Sequence, residues 1–92
     1  MPAVHPGRIL RREMAARELT PDELATRLHV PATTVAALID GKASVSAETA
    51  LRLARYFSTS PQFWMNLQTR YDLALAEHTV GERIVEQVEP PP

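Results

Sequence analysis

The chain has 92 residues, 45% hydrophobic and 23% charged, which suits one globular domain and excludes a disordered chain. It contains no cysteine, so a disulfide framework and a thiolate metal site are excluded, and no apolar run approaches the ~20 residues of a membrane span. The net charge of −1 conceals an asymmetry: residues 1–70 hold nine Lys or Arg against six Asp or Glu, and residues 71–92 hold one Arg against five acids.

A mildly basic body with an acidic end suits DNA at one face and a protein partner elsewhere. Met1 to Gly7 lacks a signal-peptide core, so a cytoplasmic location is expected, with no membrane contact. Only three glycines, and more Ala, Leu, Arg and Glu than β-branched or aromatic residues, predict an all-α fold.

Helix starts are marked by proline at plausible first helical positions: Pro6, Pro21, Pro31 and Pro61. The first segment, roughly residues 6–18, carries Leu10 and Met14 four apart. Thr20 then precedes Pro21, with Glu23 three residues on as a capping-box partner, and Leu24, Ala25 and Leu28 line a helix over about 21–28. Val35, Leu38 and Ile39 line a third over about 31–39, which stops at the helix-ending pair Asp40-Gly41. Ser46 opens the fourth, where Ala50, Leu53, Ala54 and Phe57 recur at i, i+3, i+4 and i+7. Ser60 opens the fifth, with the stripe Trp64, Leu67, Tyr71 and Leu75 along residues 61–78. Thr79, Val80 and Gly81 are expected to break that helix. The domain therefore runs over 1–78, with 79–92 a C-terminal extension, dimer-associated or frayed.

Residues 20–41, TPDELATRLHVPATTVAALIDG, carry the most specific pattern. Ala25 is small where a second helix must come close. His29 stands where the chain turns sharply, and histidine is among the non-glycine residues enriched at positive φ. Val30 fills the corner, and Val35 and Leu38 anchor the next helix against Ala25. This spacing holds two helices at a steep angle and predicts a helix-turn-helix.

The five-helix order with this motif in helices two and three resembles the Xre and phage-repressor superfamily, whose fold is the lambda-repressor-like bundle. More closely, the chain resembles the HigA group of antitoxins. His5-Pro6-Gly7-Arg8-Ile9-Leu10 is similar to that group's opening. Thr49 to Phe57, then Thr59-Ser60-Pro61, Phe63-Trp64, Asn66-Leu67-Gln68 and Arg70-Tyr71-Asp72-Leu73, are similar to its signature in helices four and five. The resemblance covers residues 5–76. It implies a homodimer that represses its own operon and neutralises a partner toxin, typically a RelE-like ribonuclease that cleaves messenger RNA on the ribosome.

In a helix-turn-helix the second motif helix enters the major groove, so Ala32, Thr33, Thr34, Ala36 and Ala37 are expected to face the bases. Members of the group usually place Arg, Asn or Gln there; this chain offers threonine hydroxyls and alanine methyls suited to A·T-rich edges. Phosphate contacts are expected from Thr20 at a helix N-terminus and from Lys42 and Ser44 after the recognition helix, with Asp40 repelling phosphate nearby. Trp64, Tyr71 and Leu75 are candidate dimer contacts, with core packing the alternative for Trp64 and Tyr71. Arg52, Arg55, Arg70 and Asp72 are expected to tie helix four to helix five.

His5, His29 and His78 lack ligand-like spacing, and no nucleophile triad, phosphate loop or paired-carboxylate cleft is visible. The expectation is therefore no metal, no cofactor and no catalytic residue. Two alternatives to a DNA-binding antitoxin stay open: an interaction module whose DNA reading has weakened, and a stand-alone Xre-type regulator.

Overall fold

The computed structural model describes residues 3–92; Met1 and Pro2, which open the expected domain, lie outside the described residues. Five helices and no strand appear among them: α1 (Pro6–Ala16), α2 (Pro21–Leu28), α3 (Ala32–Ile39), α4 (Ala47–Phe57) and α5 (Pro61–Gln87).

The starts follow from local chemistry. Thr20, Ser46 and Ser60 accept hydrogen bonds from the backbone N–H groups of Glu23, Thr49 and Phe63, three residues on in each case. Each such cap contributes on the order of 1 kcal/mol. At α2 the box is reciprocal, because Glu23 Oε1 accepts the Thr20 backbone N–H at 3.1 Å. The Thr20 backbone N–H and hydroxyl hold the exposed Glu23 carboxyl below the usual carboxylate range. Its contribution to stability is present at neutral pH and is lost as pH falls through that depressed value. Proline occupies the first turn of α1, α2 and α5, but Pro31 sits one residue earlier than expected, as the N-cap of α3 with no side-chain cap.

Four helices end on the same left-handed turn. At α2, His29 has φ 57° and ψ 47°, its N–H reaches Thr26 O, and Val30 N–H reaches back to Ala25 O at 3.1 Å. Glu18 (φ 53°) closes α1 and Ser58 (φ 57°) closes α4, while only α3 has the easy residue, Gly41 at φ 73°. Left-handed backbone costs a residue with a Cβ roughly 1–2 kcal/mol. We therefore expect His29→Gly to raise stability by about 0.5 kcal/mol once glycine's greater freedom in the unfolded chain is set against the strain. A melting temperature below that of the parent would show that the His29 side chain makes a compensating contact.

The core joins Leu10 of α1, Leu24 of α2, Val35 and Leu38 of α3, Ala50 and Leu53 of α4 and Trp64 of α5, each no more than 2% exposed. Trp64 donates its indole N–H to Thr59 Oγ1 at 2.8 Å and lies beside Phe57, so α5 leaves the short 58–60 turn already packed on α4. The start of α1 lies directly on the end of α3. A Cβ on Gly7 would sit 2.9 Å from the Leu38 carbonyl carbon and closer still to its oxygen. Only glycine permits that approach, and through it α1 fixes the tilt of α3.

The expected break at residues 79–81 does not occur: α5 runs unbroken to Gln87. Thr79 turns its hydroxyl back to Leu75 O at 2.9 Å, and Gly81 is absent from the positive-φ residues, so neither interrupts the helix. A glycine in a helix costs only about 1 kcal/mol. The last buried side chain of α5 is Gln68, and beyond it the helix projects from the body, giving the chain extents of 54 × 22 × 21 Å.

Candidate nucleic-acid interface

The motif sets α3 across α2 through three buried side chains: Ala25 at 3% exposure, Val35 at 0% and Leu38 at 2%. Val30 is half-buried at the corner and His29 is exposed on the left-handed turn. With Val35 and Leu38 turned inward, the opposite face of α3 is presented to solvent. Ala32, Thr33 and Ala36 are exposed there, and Thr34 and Ala37 are half-buried at its flanks. The face carries two hydroxyls, several methyls and no charge from Ala32 to Ile39.

The rim differs from the sequence expectation in two places. At the start of α2, Thr20 Oγ1 already accepts from Glu23 N–H at 3.1 Å, and the Glu23 carboxylate occupies the Thr20 amide. Asp22 and Glu23 both stand in that first turn, so the anion site there is reduced to the Asp22 amide. After α3, Asp40 is not the isolated repulsive charge expected. Arg11 Nη2 lies 3.5 Å from its carboxylate, and Arg11 Nε donates to Ile39 O at 3.1 Å. Both partners are exposed, so the pair adds little to stability, yet it cancels the negative charge beside the rim. Lys42 and Ser44 are exposed in the loop that follows.

Sequence reasoning gives Arg11 only a share in a diffuse basic field, and Gly7 and Gln68 no role beyond their place in the motifs of the resemblance; their contacts were missed. A glycine at the second position of a helix was the available sign for Gly7. For Gln68 it was the lone amide four residues after Trp64 on an apolar stripe.

The proposed ties between α4 and α5 are corrected. Arg52 Nη1 donates to Leu28 O at 2.9 Å and its Nε meets Glu48 Oε2 at 3.4 Å, so it joins α4 to the end of α2. Asp72 accepts from Gln68 within α5, and Arg55 and Arg70 make no ion pair among the described residues. Trp64, named as a dimer contact, is 1% exposed inside its own chain's core, where no second molecule reaches it. Tyr71 is half-buried with its ring edge-on to His5, centroids 4.9 Å apart, and Leu75 is 41% exposed. Among the described residues no group of three or more His, Cys, Asp or Glu is placed to hold a metal, and no helix is long and apolar enough to cross a membrane.

Two short helices locked across a left-handed turn, with the outward face of the second free, define a helix-turn-helix protein. The family model described as Helix-turn-helix matches residues 10–64, and the chain belongs to that family, in its Xre-type form. It is 45% identical over 78 residues to Virulence-associated protein I of Dichelobacter nodosus, covering 84% of this chain and 72% of that one. In fold it is similar to an addiction module antidote protein of the HigA family from Coxiella burnetii, at a TM-score of 0.94 and 40% identity, covering 99% of this chain and 100% of that one. It is also similar to the Pseudomonas aeruginosa antitoxin HigA, solved with the higBA promoter, at a TM-score of 0.92 and 45% identity over 95% and 96% of the two chains.

Proposed function

We propose that this chain is the antitoxin of a type II toxin–antitoxin pair: a cytoplasmic, dimeric repressor of its own operon that also neutralises a RelE-like, mRNA-cleaving toxin. The observation that carries this is the likeness, over nearly the whole of both chains, to an antitoxin solved with its promoter DNA. In this reading α3 lies in the major groove, with Ala32, Thr33, Thr34, Ala36 and Ala37 toward the bases. Lys42, Ser44 and the start of α2 meet the phosphates. Dimerisation runs through the projecting part of α5, where Leu73, Ala76, Val80 and Ile84 follow one another at helical spacing and leave Leu73 and Ile84 59% and 50% exposed. Two α3 helices then stand about 34 Å apart on one face of a palindromic operator.

Salt-titrated fluorescence anisotropy on the DNA upstream of the operon, against a scrambled duplex of equal length, tests the reading. Preference for the upstream DNA with affinity falling steeply as salt rises is expected. Thr33→Ala should cut the operator-to-scrambled ratio by about tenfold, a base contact being worth ~1–3 kcal/mol. Its melting temperature should hardly move, since Thr33 is exposed. An unchanged ratio would remove Thr33 from the reading surface. Equal, weak binding of both duplexes by the parent chain would favour the second reading, an interaction module that binds toxin but no longer reads DNA unaided. The absence of Arg, Asn and Gln from the outward face of α3 is the observation behind it.

A further inference from the structure

Gln68 is the one buried polar side chain among the described residues, at 4% exposure, and it reaches across 23 positions of sequence. Its Oε1 accepts the Val45 backbone N–H at 2.8 Å, and its Nε2 donates to Asp72 Oδ1 at 2.9 Å. The amide orientation is forced, because a backbone N–H can only be met by the oxygen. Val45 closes the 42–45 loop between α3 and α4. The other end of that loop is pinned to α3, where Lys42 and Ala43 N–H both reach Ala37 O, at 2.9 and 3.2 Å. Between the two pins stands Ser44, exposed, with both its hydroxyl and its amide lacking an intramolecular partner among the described residues.

We infer that Gln68 is a positioning residue for DNA binding: by anchoring Val45 to α5, with its amide oriented by Asp72, it holds Ser44 at a fixed height for a phosphate oxygen. The inference rests on the DNA-binding reading above and adds to it a physical link between the loop at the DNA face and the helix that projects toward a partner. A loop pinned at one end only would present Ser44 over a range of positions, and a hydrogen bond to phosphate depends steeply on placement.

Exchanging donor and acceptor along the bridge tests this. In Gln68→Glu the second carboxylate oxygen stands where the amide donated to Asp72, and repulsion between the two carboxylates swings the side chain off the Val45 N–H, so the bridge opens. Operator affinity should fall about tenfold, the scale of one hydrogen bond to a charged phosphate. Asp72→Asn alone should stay within about twofold, because the shorter amide keeps an oxygen for Gln68. The double variant Gln68→Glu/Asp72→Asn restores a donor opposite an acceptor, so its affinity should return to within about twofold of the parent. Ser44→Ala should weaken operator binding in the parent and add nothing in the Gln68→Glu background. Hydrogen exchange at the Val45 amide, slow in the parent and double variant and fast in Gln68→Glu, reads the bridge without DNA.

A parent-like affinity for Gln68→Glu, a double variant no better than the single, or an equal Ser44→Ala effect in both backgrounds would overturn the assignment while leaving the DNA reading intact. A parent chain with no preference for the operator would end both.

Discussion

Gly7→Ala should lower stability by about 3 kcal/mol, the upper end of what overpacking costs, because the atom it meets cannot rotate aside. The new methyl would lie against the Leu38 carbonyl, and that group is the backbone of α3 itself. Relief requires the whole start of α1 to withdraw, taking with it the buried Pro6 and Leu10. In a domain of this size the melting temperature should drop by roughly 15 °C, measured by circular dichroism. The functional effect should exceed the loss of folded protein. With α1 displaced, α3 changes its tilt, so operator affinity should fall further than scrambled-duplex affinity at a temperature where the variant is folded. A variant melting within a few degrees of the parent would mean that α1 and α3 do not approach as described.

Ile84→Asp together with Val85→Asp should have the largest effect on operator binding and almost none on the body of the protein. These side chains are 50% and 78% exposed in the single chain, so no core contact is lost. If α5 pairs two copies, two carboxylates per chain in the seam would break it. The mass in solution by light scattering should fall from twice 10.2 kDa to 10.2 kDa. Losing the tether between two half-sites should lower affinity for a palindrome by roughly 10²–10⁴-fold, while binding to an isolated half-site stays unchanged. A variant that remains dimeric would move the interface elsewhere on the molecule.

Why some of this could be read from residues alone and some could not has physical reasons. Helix starts were legible at Thr20, Ser46 and Ser60 because capping is a contact between neighbours in sequence, set by three or four residues. The positive φ of His29 was legible for the same reason, since a turn between two short helices leaves few conformations open. The all-α architecture followed from periodicity. Contacts between distant segments were not legible. Nothing near Arg52 in sequence says that its partner is the carbonyl of Leu28, and nothing near Asp40 points to Arg11. Gly81 misled because glycine ends helices by adopting positive φ, and here it does not. Of the rim, the exposure of Lys42 and Ser44 could be anticipated, but the narrowing of the α2 start to a single free amide by its own capping glutamate could not.

A dimer paired through the projecting part of α5, as proposed above, would be sensitive to its own abundance. The single chain's radius of gyration, 15.9 Å, exceeds the ~12 Å of a compact domain of this length. A helical segment of some fifteen residues without tertiary support is marginal in water, and residues 73–87 lie beyond the last buried side chain. In a dilute solution of single chains that segment is therefore expected to fray, its amides exchanging faster in a hydrogen-exchange measurement than those of α2 and α3. Any second surface that covers Leu73, Ile84 and Val85 draws the equilibrium toward helix by mass action. If copies of the chain pair through α5 as proposed, its end reports concentration: scarce, it is expected to fray and be open to a protease; abundant, to be helical and closed.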